Sequence, residues 1–255
     1  MDTQDTAAII DRDFAENPEL TARYNKKLSI IIPFRKREEH LKAFIPHIIK
    51  YFNHDKLDRH ITYSLHIVEQ QRAGPFNRGK LLNCGFDISR DNDYFCFHDI
   101  DYLPIWADYS YCPNPARLIW HGLVLKEDYN HFFGAVILFN KVDFLKVNGF
   151  SNKYWGWGHE DLELKCRCDL NQLIITKRDG SFISLVHKHS GFDQNQRPTA
   201  EALQTAELFN SRQPKLAELI PQDGINTLDY KLLRSENYKL GDHILKNVFH
   251  HWVEI

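Results

Sequence analysis

Four groups of polar residues in this sequence have types and spacings suited to chemistry. The first is His98-Asp99-Ile100-Asp101, at the end of a predicted strand. Residues two apart in a strand project to the same side, so Asp99 and Asp101 are expected to face one ligand together. Two carboxylates suit a divalent cation, and such a cation in turn suits a diphosphate. The alternative is a charged turn that binds nothing.

The second group is the pair His187 and His189. If this run is extended, the two imidazoles share a face and could bind one metal ion. The alternative is a pair of solvated surface histidines. Histidine nitrogen together with carboxylate oxygen describes a borderline cation such as Mn²⁺ better than Mg²⁺ or Ca²⁺.

The third group is the run Trp155-Gly-Trp-Gly-His-Glu-Asp161, which leads into a predicted helix. Tryptophan faces suit the apolar face of a sugar ring, and glycine permits unusual backbone angles and hinge motion. Glu160 and Asp161 begin the helix, whose positive end is expected to favour their ionised forms. An ionised carboxylate beside a sugar can act as a general base on a hydroxyl. The alternative is an ordinary helix start beside two core tryptophans.

The fourth group is basic and comprises Arg35, Lys36, Arg37, Arg72 and Arg78. Arg35 and Arg37 follow the first predicted strand, and Arg78 precedes a helix. Guanidinium groups in these places could pair with phosphates bidentately. The alternative is a run of solvated surface charges.

The first hundred residues have the pattern that would position these groups. Apolar, β-branched runs predict strands at 28–34, 63–70 and 93–101, with a helix before the second strand and another near 80–89. Pro46 lies inside the first helical pattern and is expected to kink or split it. This βαβαβ order predicts a parallel sheet, whose ligands bind beyond the carboxyl ends of its strands.

The remainder of the chain is less regular. We predict a strand at 133–141, a helix at about 142–147, a helix after the glycine-tryptophan run, and two short strands within 175–190. A polar loop leads into a further helix, and alternation in the tail suggests a hairpin within 223–240. The domain organisation expected is an N-terminal arm, 1–26, and a single domain, 27–255.

Composition excludes several classes of protein. The 255 residues carry 32 Lys plus Arg and 34 Asp plus Glu, a net charge of −2, which argues against nucleic acid as a partner. No apolar run approaches the ~18 residues of a transmembrane segment, and the N-terminus lacks the features of a secretory signal. The five cysteines read as reduced thiols, so a cytoplasmic location is expected, with peripheral membrane association as an alternative. A zinc site at Cys166 and Cys168 is a disfavoured alternative.

Together these segments resemble one family, the β-1,4-galactosyltransferases, which are inverting enzymes with a GT-A fold. The resemblance spans about 28–240 in the family's order and is carried by PFRKREEHL, GPFNRGKLLNCGF, FHDIDYLP, FFGAVILFNKVDFLKVNGFSNKYWGWGHED, VHKHS and DGINTLDY. The His-x-His form is similar to the branch that galactosylates xylose. The resemblance implies an α/β, Rossmann-like nucleotide-sugar-binding fold with a mostly parallel central sheet. Animal members are anchored in the Golgi membrane, so this chain looks like a bacterial cytosolic relative or a trimmed part of a Golgi protein.

The resemblance also implies roles at matching positions. Asp161 would be the catalytic base and Glu160 would bind sugar hydroxyls. Asp101, His187 and His189 would ligate Mn²⁺. Trp157 would contact donor and acceptor and move with its loop, and Tyr129 and Phe132 would line the sugar pocket. The remaining positions would hold the uridine and diphosphate of a UDP-sugar: Pro33, Phe34, Arg35, Arg37, Phe76, Arg78, Asp99 and Ile100.

The expected activity is therefore Mn²⁺-dependent transfer of galactose from UDP-galactose to a hydroxyl of a glycan or glycoside acceptor, in polysaccharide or glycoconjugate synthesis. Three departures from the family pattern leave donor and acceptor open: Gly134-Ala135 for Gly-Gly, Leu162-Glu163 for Asp-Asp, and His159 for Gly or Arg. One alternative is the same chemistry with UDP-GalNAc or UDP-GlcNAc. Another is a non-catalytic protein that binds a nucleotide or glycan.

Overall fold

The computed structural model describes residues 16–55, 57–119, 133–178, 180–186 and 191–255. Within these ranges the helices are α1 (Pro18–Tyr24), α2 (Glu38–His54), α3 (Arg78–Ile88), α4 (Lys141–Lys146), α5 (Glu160–Leu170), α6 (Ala200–Arg212) and α7 (Leu216–Leu219). The strands are β1 (Lys27–Phe34), β2 (Thr62–Gln70), β3 (Tyr94–His98), β4 (Tyr102–Ala107), β5 (Ala116–Arg117), β6 (Val136–Asn140), β7 (Thr176–Lys177), β8 (Gly180–Ser184), β9 (Lys231–Leu240) and β10 (His243–Glu254).

Eight of the strands in the described ranges form one sheet, in the order β7-β5-β6-β3-β1-β2-β10-β9. The β3-β1-β2-β10 centre is parallel, while β6 and β9 join antiparallel. The expectation of an α/β fold with a mostly parallel sheet is therefore confirmed. β4 and β8 form a separate two-stranded sheet beside it.

Helices cover both faces of this sheet. The β1 sequence is buried along seven of its eight residues, as expected for a strand with helices on both faces. α3 lies close against the sheet because Gly85 has no side chain; a Cβ there would be 2.3 Å from Cγ2 of Ile31. The side chain of Asn77 caps α3 by accepting a hydrogen bond from the Lys80 N–H at 2.9 Å.

The first long helix differs from its prediction. α2 is continuous from Glu38 to His54 through Pro46, so the predicted split is wrong. Phe44, Ile45 and Ile48 are fully buried on either side of the proline. This packing outweighs the lost backbone hydrogen bond, which by itself would break an isolated helix.

The C-terminal hairpin also lies further along the chain than predicted. It comprises β9 and β10, which turn at 241–242, rather than a pair within 223–240. β10 lies between β9 and β2, and a buried histidine pair joins it to β2. His66 Nδ1 lies 3.0 Å from His251 Nε2, between residues 185 positions apart in sequence.

The segment predicted as an arm contacts the domain at its final turn. Tyr24 is buried, and the guanidinium of Arg23 donates to Asp108 at 2.8 Å and to Ser110 Oγ at 2.6 Å.

Candidate functional site

A cavity of about 700 Å³ opens at the carboxyl ends of β1 and β3. The beginning of α5 and the segment before it form the opposite wall. Twelve of the sequence-predicted residues line this one cavity: Pro33, Phe34, Arg35, Arg37, Phe76, Arg78, Asp99, Ile100, Asp101, Trp157, Glu160 and Asp161. The other four, Tyr129, Phe132, His187 and His189, lie outside the described residues.

The two aspartates reach the cavity from a turn and not from a strand. β3 ends at His98, and the Tyr102 N–H donates to the Asp99 carbonyl across the turn. Both carboxylates do line the cavity, but the prediction that strand alternation places them there is wrong, because they belong to a turn. Each aspartate instead lies beside its own cation: Asp99 accepts from Arg78 Nε at 2.7 Å, and Asp101 lies 3.6 Å from Arg37 Nη1.

Arg78 connects the two walls of the cavity. Its Nε donates to Asp99, and its Nη1 lies 3.3 Å from Glu160 Oε1. Its Nη2 is buried and has no hydrogen-bond partner among the described residues. A buried donor without a partner costs about 1–3 kcal/mol, so this nitrogen suits an anionic ligand that brings an acceptor.

Glu160 is buried and Asp161 is partly buried at the start of α5, and this changes their acidity. Burial raises the pKa of Glu160, the negative charge of Asp161 raises it further, and Arg78 opposes both. Burial likewise raises the pKa of Asp161, against the effect of Arg78 and a 2.7 Å hydrogen bond from the Leu162 N–H. Backbone N–H groups at the start of α5 lower both pKa values, in the direction predicted, but desolvation is the larger effect and the net pKa of each carboxyl is raised.

The tryptophan segment, residues 155–159, contains glycine where its backbone has positive φ angles. Gly156, Gly158 and His159 have φ values of 108°, 93° and 74°, and the last precedes the first residue of α5. The Trp157 ring is 39% exposed at the cavity and packs edge-to-face on Phe192, with centroids 5.6 Å apart. The Trp157 carbonyl accepts a 2.7 Å hydrogen bond from Thr205 Oγ1.

α6 also contributes a residue that the sequence patterns did not indicate. Glu201 lines the cavity together with Arg35, and a Cβ on Gly156 would be 2.9 Å from the Glu201 Cβ. Arg35 lies over the Phe76 ring, 5.2 Å from its centroid, and donates to the Gly74 carbonyl. Nothing local marks Glu201, because only the packing of α6 brings it to this wall.

Asp101 is the one described residue among the predicted metal ligands. The described residues contain no group of three or more His, Cys, Asp or Glu that could hold a metal ion, and this includes the region around Cys166 and Cys168. However, the Leu185 N–H donates to the Asp101 carbonyl at 2.7 Å. The chain therefore passes beside Asp101 two residues before His187.

None of the helices in the described ranges is both long enough and apolar enough to cross a membrane.

Comparisons with known proteins agree on one group of relatives. Residues 5–113 match the N-terminal region of glycosyl transferase group 7, and 120–189 match a family described as the N-terminal domain of galactosyltransferase. The chain is 30% identical over 244 residues to mouse β-1,4-galactosyltransferase 4, covering 89% of this chain and 67% of the relative. It is also 30% identical over 217 residues to Drosophila melanogaster β-1,4-galactosyltransferase 7, covering 82% and 64%.

Solved structures show the same likeness. The catalytic domain of Drosophila β-1,4-galactosyltransferase 7 in complex with xylobiose superposes with a TM-score of 0.73 at 27% identity, covering 90% of this chain and 94% of that one. A mutant of the same enzyme, in complex with manganese, UDP-Gal and xylobiose, superposes with a TM-score of 0.72 at 27% identity, with the same coverage of both chains.

Proposed function

We propose that this chain, which belongs to the glycosyl transferase group 7 family of β-1,4-galactosyltransferases, moves galactose from UDP-galactose to a sugar hydroxyl with inversion, forming a β-linkage. It is a glycosyltransferase by family. The observation that carries the more specific proposal is the single cavity in which Arg78 joins Asp99 to Glu160, with Asp161 and Trp157 on the same wall.

The basic wall of the cavity suits the nucleotide diphosphate. Arg35 and Arg37 follow β1 and face the cavity with Arg78, whose Nη2 lacks an acceptor among the described residues. Guanidinium groups bind diphosphate oxygens through charge-assisted hydrogen bonds. Pro33, Phe34 and Phe76 give this wall an apolar surface beside the arginines, which suits the uracil ring.

Asp101, the one described residue among the proposed metal ligands, fits Mn²⁺. Asp101 presents a carboxylate at the cavity, and the hydrogen bond from Leu185 to its carbonyl keeps the chain close just before His187. We assign Asp101, His187 and His189 as the ligands, a donor set that suits Mn²⁺. When bound, this ion would supply Lewis-acid neutralisation of the leaving diphosphate.

The carboxylate wall suits the sugar and the proton transfer. Asp161 would take the proton of the acceptor hydroxyl, and its raised pKa brings it closer to neutral pH, where a general base is most effective. Glu160, held by Arg78, would bind sugar hydroxyls. The exposed Trp157 ring would cover the apolar face of a sugar, and closing this segment over the cavity would exclude water.

Galactose is the donor sugar that we propose, because the bulky Phe132, at a position where the resemblance places the sugar pocket beside Tyr129, implies a tight fit at the donor's C2. The Drosophila enzyme's structures contain UDP-Gal and xylobiose. From that likeness and the His187-x-His189 form we infer a xylose-like or other glycoside acceptor, in a polysaccharide or glycoconjugate.

The test is UDP release from a panel of UDP-sugars, with xylobiose as acceptor, in Mn²⁺ or EDTA. We expect Mn²⁺-dependent release from UDP-galactose and a β-linked product by NMR. Release from UDP-GalNAc or UDP-GlcNAc, and not from UDP-galactose, would show that the donor sugar is not galactose. Tight binding of UDP and Mn²⁺ with no release from any sugar and any glycoside acceptor would support the non-catalytic alternative.

The metal assignment predicts a separate result. His187→Ala and His189→Ala should each raise the Mn²⁺ concentration needed for half-maximal activity, because each removes one ligand. The measurement is a Mn²⁺ titration of the initial rate, with His243→Ala, an exposed histidine on β10, as the control. An unchanged Mn²⁺ requirement would remove that histidine from the site.

A further inference from the structure

A buried network of charges lies directly behind the cavity wall. Glu163 accepts hydrogen bonds from Arg167 Nη2 at 2.8 Å and from Arg212 Nε at 2.7 Å. Arg212 Nη2 continues to Asp223 Oδ2 at 2.6 Å, and the Tyr154 hydroxyl donates to Glu163 Oε2 at 2.7 Å. The side chains of the four charged residues are between 0% and 9% exposed.

This network joins the segments that form the carboxylate wall of the cavity. Glu163 lies one turn after Glu160 on α5, and Arg212 is the last residue of α6. Asp223 binds the chain that leads into the tryptophan segment, through Ser151 Oγ and the Asn152 N–H at 2.8 Å.

α6 also holds the tryptophan segment through its middle. Thr205 lies two turns before Arg212 on the same helix and donates to the Trp157 carbonyl. The Thr205 hydroxyl also lies 3.4 Å from His159 Nδ1, immediately before the catalytic carboxylates. The Glu163–Arg212 contact therefore sets where α6, and with it Trp157, lies relative to the start of α5.

Stability alone is a poor explanation for such a network. Burying two carboxylates and two guanidinium groups carries a desolvation cost that their attraction often only balances, and well-packed apolar residues can serve as well or better. What a satisfied network does supply is one geometry, because Arg212 contacts both oxygens of Glu163 in a fork. That is valuable where two helices must hold reacting groups in register.

We propose that Glu163 and Arg212 are positioning residues for the transfer reaction, whose ion pair holds Glu160 and Asp161 in place beside Trp157. This inference rests on the proposed function for its kinetic consequence. Neither residue touches the cavity, so they act through the helices that they join. Glu163 stands where the family pattern departs from two aspartates, which ties this departure to the pairing with Arg212.

The test replaces Arg212 by Lys, which keeps the charge but cannot bridge Glu163 and Asp223 in a fork, and by Met as a second variant. We expect kcat to fall ten- to a hundredfold, while the dissociation constant of UDP in Mn²⁺ changes less than twofold. We also expect amide hydrogen exchange to accelerate at least tenfold in residues 154–162.

Arg178→Lys and Arg178→Met are the matched controls. The Arg178 guanidinium is also largely buried, and it donates to the carbonyls of Ser110 and Tyr111, away from α5 and α6. These controls should lower the melting temperature without changing kcat or the exchange of 154–162. The proposal is wrong if the Arg212 variants lower only the melting temperature, as the controls do.

The hydrogen-exchange arm keeps this proposal separate from the proposed function. If the wild-type protein transfers no sugar, the proposed function fails, and accelerated exchange in 154–162 would still show that the pair positions this wall. If the wild type is active and the Arg212 variants retain both kcat and slow exchange, the positioning role is excluded while the proposed function stands.

Discussion

Asp161 and Glu160 show that burial can outweigh the effect of a helix N-terminus on the pKa of a carboxyl group. At the first turn of α5 the helix dipole favours charge, and Arg78 adds a full positive charge nearby. Burial nevertheless raises the pKa of both carboxyl groups, and the negative charge of Asp99 raises both pKa values further. The result is a pair of carboxylates that can bind or release a proton closer to neutral pH than an exposed pair.

Substitution of Asp161 tests the proposed base directly. Asp161→Asn should lower kcat by about 10²- to 10⁴-fold, because an amide cannot take the acceptor proton. The dissociation constant of UDP in Mn²⁺, measured by calorimetry, should stay within twofold of the wild-type value. A variant that keeps its turnover would exclude Asp161 as the base.

The second prediction concerns pH. The base works ionised, so activity should be complete above the raised pKa of Asp161 and fall as pH decreases through it. We expect the acid limb of kcat/KM to lie above the ordinary aspartate pKa of about 3.9. The check is a profile from about pH 4.5 to about pH 8 with UDP affinity measured in parallel. A loss of UDP affinity that fully accounts for the lost rate would assign the limb to binding instead.

The tryptophan segment is held between α5 and α6 in backbone conformations that only certain residues adopt readily. Gly156 and Gly158 supply left-handed angles, and Gly191 supplies room, because a Cβ there would lie 2.3 Å from the Trp157 ring. The position of Trp157 therefore depends on glycines in two separate stretches of chain.

Gly191→Ala should consequently displace Trp157 and lower kcat/KM for transfer about tenfold, which corresponds to about 1.4 kcal/mol and lies within the ~1–3 kcal/mol that overpacking typically costs. The measurement is initial-rate kinetics with varied donor and acceptor. Gly241→Ala is the control, because a Cβ in that hairpin turn meets nothing within 4 Å. Equal kinetics in the two variants would contradict the packing of Trp157 on Gly191.

Features that depend on local sequence could be predicted, whereas features that depend on contacts between distant segments could not. The βαβαβ order and the four polar groups follow from local periodicity and strand ends, and twelve of the predicted site residues do share one cavity. The unbroken α2, the turn at 99–101 and the contribution of Glu201 follow instead from packing between distant segments. The raised pKa values of Glu160 and Asp161 likewise arise from burial, which no local pattern reports.

Buried histidines make the fold sensitive to acid. Burial lowers the pKa of His66 to about 3 and those of His98 and His251 to about 4. An unfolded chain binds these protons near pH ~6.5, well before the folded chain does. The contribution of these three histidines to stability should thus be complete above pH ~6.5 and decline as pH falls toward about 4.

The predicted slope is about 1.4 kcal/mol per pH unit for each such histidine within that window. Urea unfolding at several pH values between about 7.5 and about 5 measures it. His251→Gln should flatten the slope, whereas His243→Gln, an exposed histidine on the same strand, should leave it unchanged. Equal slopes in both variants would show that His251 takes up no proton on unfolding.

The pairing of β2 with β10 also affects how the chain folds during its synthesis. His66 and His251 are separated by 185 residues, so at about 5–20 residues per second a ribosome needs roughly 10–40 s to supply β2 with its second neighbour. Until then the edge of β2 can pair with other nascent chains. Slower synthesis lengthens this interval, and chaperones that shield open strand edges should raise the soluble yield of the protein more than they raise its final stability.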